Sequence, residues 1–381
     1  MSKKYFVNPE IILSFSNGIS LTLPDLHESF NIDTATLNLI TAICDETGQK
    51  MEVLKQNFSE ESLEEAQAIL AEKKILLDEK PKLGIAQAWK DWGDATWFFH
   101  KMTTNIKFAI SEQEQLEIAK EITEVPKPQR FKCLCNQCKI SIKLPQARPI
   151  STDSFSQILL NRRTCRNFID IDIKLAELSD ILFYTGGLVF ENDTVYFGQV
   201  SKKCAPSPGA IHGTEIYLAI RKCQNVEPGI YHYCVEHHTL NQISSQNPDS
   251  FIHSALLDQN YFESASVVFI FTCVAERFMW KYKTGRIYRL AHLEVGHYCQ
   301  NLLLTGTALG LGVFSTGALN DELITLTLNL DPVKEFAMYA AGTGIESEGI
   351  PYYRPGVAMS THLPEGASPK LPYAEGELPG N

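Results

Sequence analysis

From Tyr288 to Gly312 the chain reads YRLAHLEVGHYCQNLLLTGTALGLG, a helical pattern with Leu290, Leu293, Leu302, Leu303, Leu304 and Leu309 spread over much of its surface. Leucine on so many faces of one helix calls for apolar neighbours all round, so the pattern predicts a central, nearly completely buried helix. His292, Glu294, His297, Gln300 and Asn301 interrupt it. Glu294 and His297, three residues apart, have the spacing of a metal-ligating pair. One such pair without a second is a poor ligand set, and hydrogen bonding at an interface is the better reading.

The elements before and after this helix fix the fold class. From Ser151 onward the order is helix (SFSQILLNRR), helix (KLAELSDILFYTGG), strands (EIYLAIRKC, then GIYHYCVEHHTLNQI), helix, strand (SVVFIFTCV), the long helix, and strand (EFAMYAAGTG). This is α+β ordering rather than regular βαβα alternation. The glycines of GLGVFSTGALND do not make a dinucleotide fingerprint, because the required strand, glycine spacing, helix and later acidic residue do not line up.

Upstream, EIILSFSNGISLTL reads as two β-runs around a Ser-Asn-Gly turn. DTATLNLITAICDE places Leu37, Leu39, Ile40 and Ile43 at helical spacing after Asp33 or Thr34 as N-cap. In SEESLEEAQAILAEKKILL, Ser59 caps a second helix whose first turn carries Glu60 and Glu61. Residues 1–78 are therefore expected to form a small winged-helix-like module of two strands and two or three short helices. Residues 79–150 read as a connecting region, and 151–381 as the main domain with a Pro/Gly-rich arm after Tyr352.

Composition excludes several function classes. The 381 residues carry 34 basic and 45 acidic side chains, a net charge of −11, which disfavours nonspecific binding to nucleic acid or to an anionic membrane. An anionic ligand would need a local basic pocket. No run approaches the roughly 18 apolar residues of a membrane span, and the first residues lack a signal-peptide core, so a cytoplasmic protein is expected. The ten cysteines are accordingly read as free thiols. Only CLCNQC clusters them, as Cys133, Cys135 and Cys138. A zinc knuckle needs a fourth ligand, and none is evident nearby, so no metal site is assigned.

Three motifs carry chemistry. NRRTCRNF sets Arg162, Arg163 and Arg166 close together, and guanidinium geometry suits bidentate phosphate binding; a solvated helix end is the alternative. CAPSPGAIHGTEIYL is a tight loop running into a strand, where Gly209 lets backbone approach a flat ligand and Ser207 offers a hydroxyl. ERFMWKYKTGRIYR interleaves Arg277, Lys281, Lys283, Arg286 and Arg289 with Trp280, Tyr282 and Tyr288, which suits either a basic surface turn or a ligand-facing segment.

These pieces, in this order from Trp89 to Gly344, resemble the FMN-dependent nitroreductase superfamily, and within it the azoline dehydrogenases of the SagB/ThcOx kind. The resemblance rests on WKDWGDATWFFHKMT, RRTCRNF, FYTGG, PSPGAIHGTEIYLAI, PGIYHYCVEHHTL and RLAHLEVGHYCQNLLLTGTALGLG. It implies a nitroreductase-like fold, a sheet wrapped by helices in a homodimer, with FMN at the subunit interfaces. Arg162, Arg163 and Arg166 would contact FMN phosphate and pyrimidine. Pro206, Ser207 and Gly209 would line the isoalloxazine from the partner subunit, Ser315, Thr316 and Gly317 would form the opposite face, and Arg354 would be a further phosphate contact. Lys281 and Tyr282 match that group's Lys-Tyr pair. Converting a thiazoline or oxazoline to an azole removes a proton and a hydride, and a lysine desolvated beside the flavin suits the role of base. Lys283 is the competing lysine. The N-terminal module resembles precursor-recognition elements that bind a leader peptide by strand addition, with a DNA-binding or dimer-stabilising module as alternatives. The implied partners are a modified precursor peptide and a cyclodehydratase. A nitro or quinone reductase using NAD(P)H, or a non-catalytic peptide scaffold, are the other functions this fold allows.

Overall fold

Val267–Val274, VVFIFTCV, is a strand buried at every position. With both faces apolar it belongs inside a sheet covered on both sides, since apolar surface left in water costs ~25 cal/mol per Å². The computed structural model describes residues 4–15, 18–24, 26–43, 49–50, 60–79, 89, 91–106, 111–150, 155–259, 262–347, 353–354 and 357–358. It divides into two compact units, residues 1–108 with 284–286, and residues 109–283 with 287–381.

In the first unit, β1 (Lys4–Val7), β2 (Ile12–Ser14), β3 (Ile19–Leu23) and β4 (Glu28–Ile32) precede α1 (Thr34–Ile43). Then come β5 (Gln49–Lys50), α2 (Glu60–Glu72), β6 (Leu76–Leu77) and α3 (Asp94–Met102). The expected hairpin forms, with Ile12 opposite Thr22 and Ser14 opposite Ser20. β4 extends it to an antiparallel sheet β2-β3-β4, while β1 lies between β5 and β6. There are thus more strands than the sequence suggested, because two- to five-residue strands are too short to display a period. Asp33 caps α1, its Oδ1 accepting from Thr36 N at 2.7 Å; the Ser59 cap falls outside the described residues. Leu21, Leu23, Ile40, Ile43, Leu70 and Ile75 form this unit's core.

The second unit opens with α4 (Glu112–Thr123), β7 (Ser141–Lys143), α5 (Phe155–Asn161), β8 (Phe168–Ile169) and α6 (Leu175–Gly186). A hairpin, β9 (Leu188–Thr194) and β10 (Gly198–Lys203), leads to β11 (Thr214–Ile220), β12 (Gly229–Cys234), β13 (Thr239–Ser244) and α7 (Pro248–Ala255). The chain continues as β14 (Val267–Val274), α8 (Ala275–Lys281), α9 (Arg286–Ala308), β15 (Gly312–Thr316), α10 (Asp321–Thr327), β16 (Glu335–Glu346), β17 (Tyr353–Arg354) and β18 (Val357–Ala358). The main sheet has the order β15-β16-β14-β11-β12-β13-β7, and β8 adds to β16. All these pairings are antiparallel.

Successive side chains of β11 and β14 serve opposite layers, as the two-residue period requires. Ile216, Leu218, Phe269 and Phe271 pack with Leu182 of α6 and Leu302 of α9. Tyr217, Ala219, Val268 and Ile270 pack with Phe251 of α7 and Ile324 of α10. The expected α+β architecture, a sheet wrapped by helices, is the one observed.

The long helix differs from its expectation. Val295, Tyr298, Cys299 and Leu302 face the core, but Leu293 is 58% exposed and a Cβ added at Gly296 would meet nothing. Leucine content reports which faces are apolar, not whether this chain supplies the cover.

Candidate functional site

The loop from Cys204 to Gly213 enters β11 through a strained turn. Gly209, Ala210 and His212 all have positive φ, at 59°, 56° and 54°. Two of these are not glycine, so the surrounding structure has to hold them there. It does so with Ser207, whose Oγ accepts from His212 N at 2.8 Å and whose carbonyl accepts from Ala210 N at 3.1 Å. The His212 ring lies between Ser201 O, 3.1 Å from Nε2, and the Tyr298 hydroxyl, 3.3 Å from Nδ1. Burial and then the charge of Lys203 push His212 down to about 3. The ring is therefore neutral at ordinary pH, with Nε2 donating to the carbonyl and Nδ1 accepting from Tyr298.

Lys281 and Tyr282 close over this turn. Lys281 Nζ donates to Gly209 O at 3.3 Å and sits 4.3 Å from the centre of the Phe197 ring. A Cβ on Gly209 would collide with the Tyr282 hydroxyl and stand 2.7 Å from Lys281 Nζ. A side chain here would be strained at φ 59° and would have to push both groups aside. Burial, then the charge of Lys202, lowers the Lys281 ammonium from its ordinary value. Burial raises the Tyr282 phenol, which keeps it a hydrogen-bond donor. Lys281 and Gly209 line a cleft together with Lys127, Arg130, Phe131 and Trp280. Lys283 instead lies exposed, its Nζ donating to Met279 O at 2.6 Å.

Arg277 holds α8 in place, a role the sequence did not reveal. Read as one of several basic residues in a surface turn, it is 4% exposed. Its Nε donates to Gln129 O at 2.8 Å, Nη1 to His212 O at 3.1 Å and Nη2 to Glu215 Oε1 at 2.5 Å. One guanidinium thus joins the helix bearing Lys281, the strained turn and the segment before β7. Burial alone would raise the Glu215 carboxyl, but Arg277, with help from His232, holds it well below the usual carboxylate range. Nearby, Lys132 bonds Glu335 at 2.5 Å and Tyr217 Oη at 2.6 Å. Glu294 points inward and accepts from Thr214 N and Oγ1 at 2.9 and 2.7 Å, whereas His297 is exposed, so this pair does not converge on a metal. Among these residues only alternation of charge with apolar residues was visible beforehand, and that pattern also describes a solvated surface.

The arginine motif is assembled separately. Cys165 N donates to Val313 O at 2.7 Å and Thr164 bridges Val313, so half-buried Arg162, Arg163 and Arg166 lie beside β15. Arg163 Nη1 donates to Arg162 O at 2.7 Å. Ser315 Oγ accepts from Tyr339 at 3.1 Å, Thr316 Oγ1 accepts from Ala318 N at 3.1 Å, and Gly317 follows at the strand end. β14 and β15 are both antiparallel to β16, so they run the same way and their C-terminal ends point toward the same end of the sheet. Pro206 is exposed in the first group's loop. Arg354 lies in β17, and its side chain is outside the described residues.

Comparison with known proteins agrees with this architecture. The profile of the nitroreductase family matches residues 159–345, which contain both groups but not Arg354. A protein named as a nitroreductase, MJ1384 of Methanocaldococcus jannaschii, is 32% identical over 209 residues, 55% of this chain and 98% of that protein. The chain belongs to the nitroreductase family. The trifolitoxin-processing protein TfxB of Rhizobium leguminosarum bv. trifolii is 27% identical over 263 residues, 64% of this chain and 68% of that one. The microcin B17-processing protein McbC of Escherichia coli is 27% identical over 132 residues, 33% of this chain and 48% of its own.

Proposed function

We propose that this chain is an FMN-dependent oxidoreductase that dehydrogenates thiazoline or oxazoline rings in a ribosomally made peptide. The observation that carries this reading is the placement of Lys281 and Tyr282 against the strained Gly209 turn, with Lys281 lining a cleft and its ammonium lowered by burial. Two relatives named for processing trifolitoxin and microcin B17 support the substrate class.

The residues present fit FMN. The positive-φ turn exposes backbone that a side chain at Gly209 would block, and three half-buried arginines beside β15 supply donors for an anion in a chain of net charge −11. Arg162, Arg163 and Arg166 would hold its phosphate and pyrimidine, Pro206, Ser207 and Gly209 one face of its ring, and Ser315, Thr316 and Gly317 the other, with Arg354 as a further phosphate contact. Bound FMN would supply the two-electron acceptor for the ring hydride. Neutral Lys281 would take the proton from the α-carbon of the ring, and the Tyr282 hydroxyl would donate to the ring heteroatom and orient it.

The two groups each form half a site, and we assign their union to a homodimer. The open face of α9 with Leu293 and Gly296 is the surface that a second copy would cover. Leu293→Asp is expected to give a monomer by light scattering that has also lost its FMN; a dimer with full FMN content counts against the composite site. Residues 1–78 would recognise the leader peptide by strand addition at an edge of the β2-β3-β4 sheet, alongside a cyclodehydratase partner.

The test is mass spectrometry of a cyclised peptide incubated with FMN-loaded protein, where loss of two hydrogens per ring is expected. Protein that takes up no FMN overturns the reading and leaves a peptide scaffold. Rapid NADPH oxidation with quinones and an unchanged peptide would indicate a reductase instead.

A further inference from the structure

The cysteine cluster near residue 135 finds its missing partners across the fold. CLCNQC ends in a tight turn, with Gln137 N and Cys138 N both donating to Leu134 O at 2.9 and 3.1 Å. The chain then enters β7, the edge strand, which pairs with β13 by Thr239 opposite Lys143. β13 is joined to β12 by the short turn 235–238, which follows Cys234 and contains His237. The edge pairing therefore lays the cysteine turn against this hairpin. The sequence offered Cys133 and Cys135 no evident further ligands; the register supplies two.

Cys133 Sγ, Cys135 Sγ, Cys234 Sγ and a ring nitrogen of His237 all lie within 4.8 Å of one another. His237 Nδ1 faces the three sulfurs at 3.5, 3.8 and 3.5 Å. Zinc bound tetrahedrally, ~2.3 Å from sulfur and ~2.0 Å from nitrogen, sets S···N edges of roughly 3.5 Å. The three S···N separations are thus already close to those of a zinc tetrahedron, and the sulfurs lie within 4.8 Å of one another. Glu236 Oε2 is further off, 4.0 Å from Nδ1. Around the site, Thr239 Oγ1 lies 3.3 Å from Cys135 Sγ and Lys143 Nζ donates to His237 O, contacts that orient ligands from outside. Cys138, third in the sequence motif, is not in the cluster.

We propose that Cys133, Cys135, Cys234 and His237 bind one structural zinc ion. Three thiolates and an imidazole in tetrahedral array select zinc among the common divalent ions, and four protein ligands leave no open position for catalysis. The ion cross-links segments far apart in the chain, since His237 is 104 residues after Cys133. Its place in the fold gives it a purpose. The segment just before Cys133 supplies Lys127, Arg130 and Phe131 to the cleft beside Lys281, and Lys132 to the buried Glu335. Zinc would pin this segment to the sheet edge and so keep one wall of the cleft in position.

Elemental analysis of full-length protein, produced with zinc in the medium and purified without chelator, is expected to find about one zinc per chain. Cys133→Ser and Cys234→Ser should each lose most of it and melt at lower temperature, while Cys138→Ser should keep it. Because the ligand variants can fail to fold, the wild type is also exchanged with cobalt(II). A tetrahedral ligand-field band in the red, with sulfur-to-metal charge transfer of the strength of three thiolates, is expected. Wild type carrying neither zinc nor that cobalt spectrum overturns the site. A spectrum of two or four thiolates, or zinc lost from Cys138→Ser but retained by Cys234→Ser, overturns the ligand set, and iron in place of zinc overturns the choice of metal.

Discussion

Lys281→Ala is expected to slow ring oxidation by about 10²–10⁴-fold, the usual worth of a positioned general base, with FMN content and melting temperature close to wild type. The side chain's hydrogen bond to Gly209 O is long, 3.3 Å, so its removal costs the fold little. Lys283→Ala should behave as wild type, since that ammonium is exposed and bound to Met279 O. The pH profile sharpens the assignment. A lysine acts as base only when neutral, and burial followed by the charge of Lys202 lowers its pKa, so the rate should rise as pH climbs through a value below that of a free lysine. Lys202→Gln removes a repelling charge and should move that rising limb to higher pH. In Lys281→Ala the limb should vanish. Equal turnover by wild type and Lys281→Ala, read by peptide mass, would remove Lys281 from the mechanism.

Arg277→Ala is expected to destabilise the protein by about 3–5 kcal/mol at neutral pH, because it strips one partner from a buried ion pair. Glu215 would be left 4% exposed, with His232 Nε2 at 2.9 Å as its remaining side-chain partner, and the carbonyls of Gln129 and His212 would lose their donors. Arg277→Lys should recover only part of this, since one ammonium cannot reach three acceptors in a fork. The acid side provides an independent check. The folded Glu215 carboxyl is depressed, so its contribution is fully present above the unfolded glutamate pKa of ~4.3 and is lost as pH falls from there toward the folded value. Without Arg277 the depression shrinks, so the gap in unfolding free energy between wild type and variant should narrow below about pH 4. A gap under ~1 kcal/mol at pH 7 would reduce the pair to a surface-like interaction.

How much of this could be read in advance depended on whether a feature was local. The strands EIYLAI and SVVFIFTCV, the helix after Arg286 and the cap at Asp33 announce themselves within a few residues, and each forms. The positive-φ turn was legible at Gly209, but Ala210 and His212 adopt the same backbone without the residue type that signals it. Arg277 and Lys281 are four residues apart in one basic run, yet the first is locked to Glu215 and the second borders a cleft. Nothing in the run distinguishes them, because a helix of seven residues turns successive side chains toward core and solvent, and which side is core depends on the sheet beneath.

Composition, periodicity and motif order were enough to specify an α+β chain, the order of its main helices and strands though not the β9–β10 hairpin, β15 or α10, the arginine and Pro/Gly motifs, and the Lys-Tyr pair that resembles an azoline dehydrogenase. Folding was needed to decide which groups share a site. Thr214 meets Cys273, Cys165 meets Val313, and Cys133 meets His237, each across tens to more than a hundred residues of chain. Those meetings follow from sheet register, which a long-range match of both faces sets. A local period has no record of it, and so a C-x-C pair without visible partners becomes three-sulfur, one-nitrogen geometry only once β7 lies beside β13.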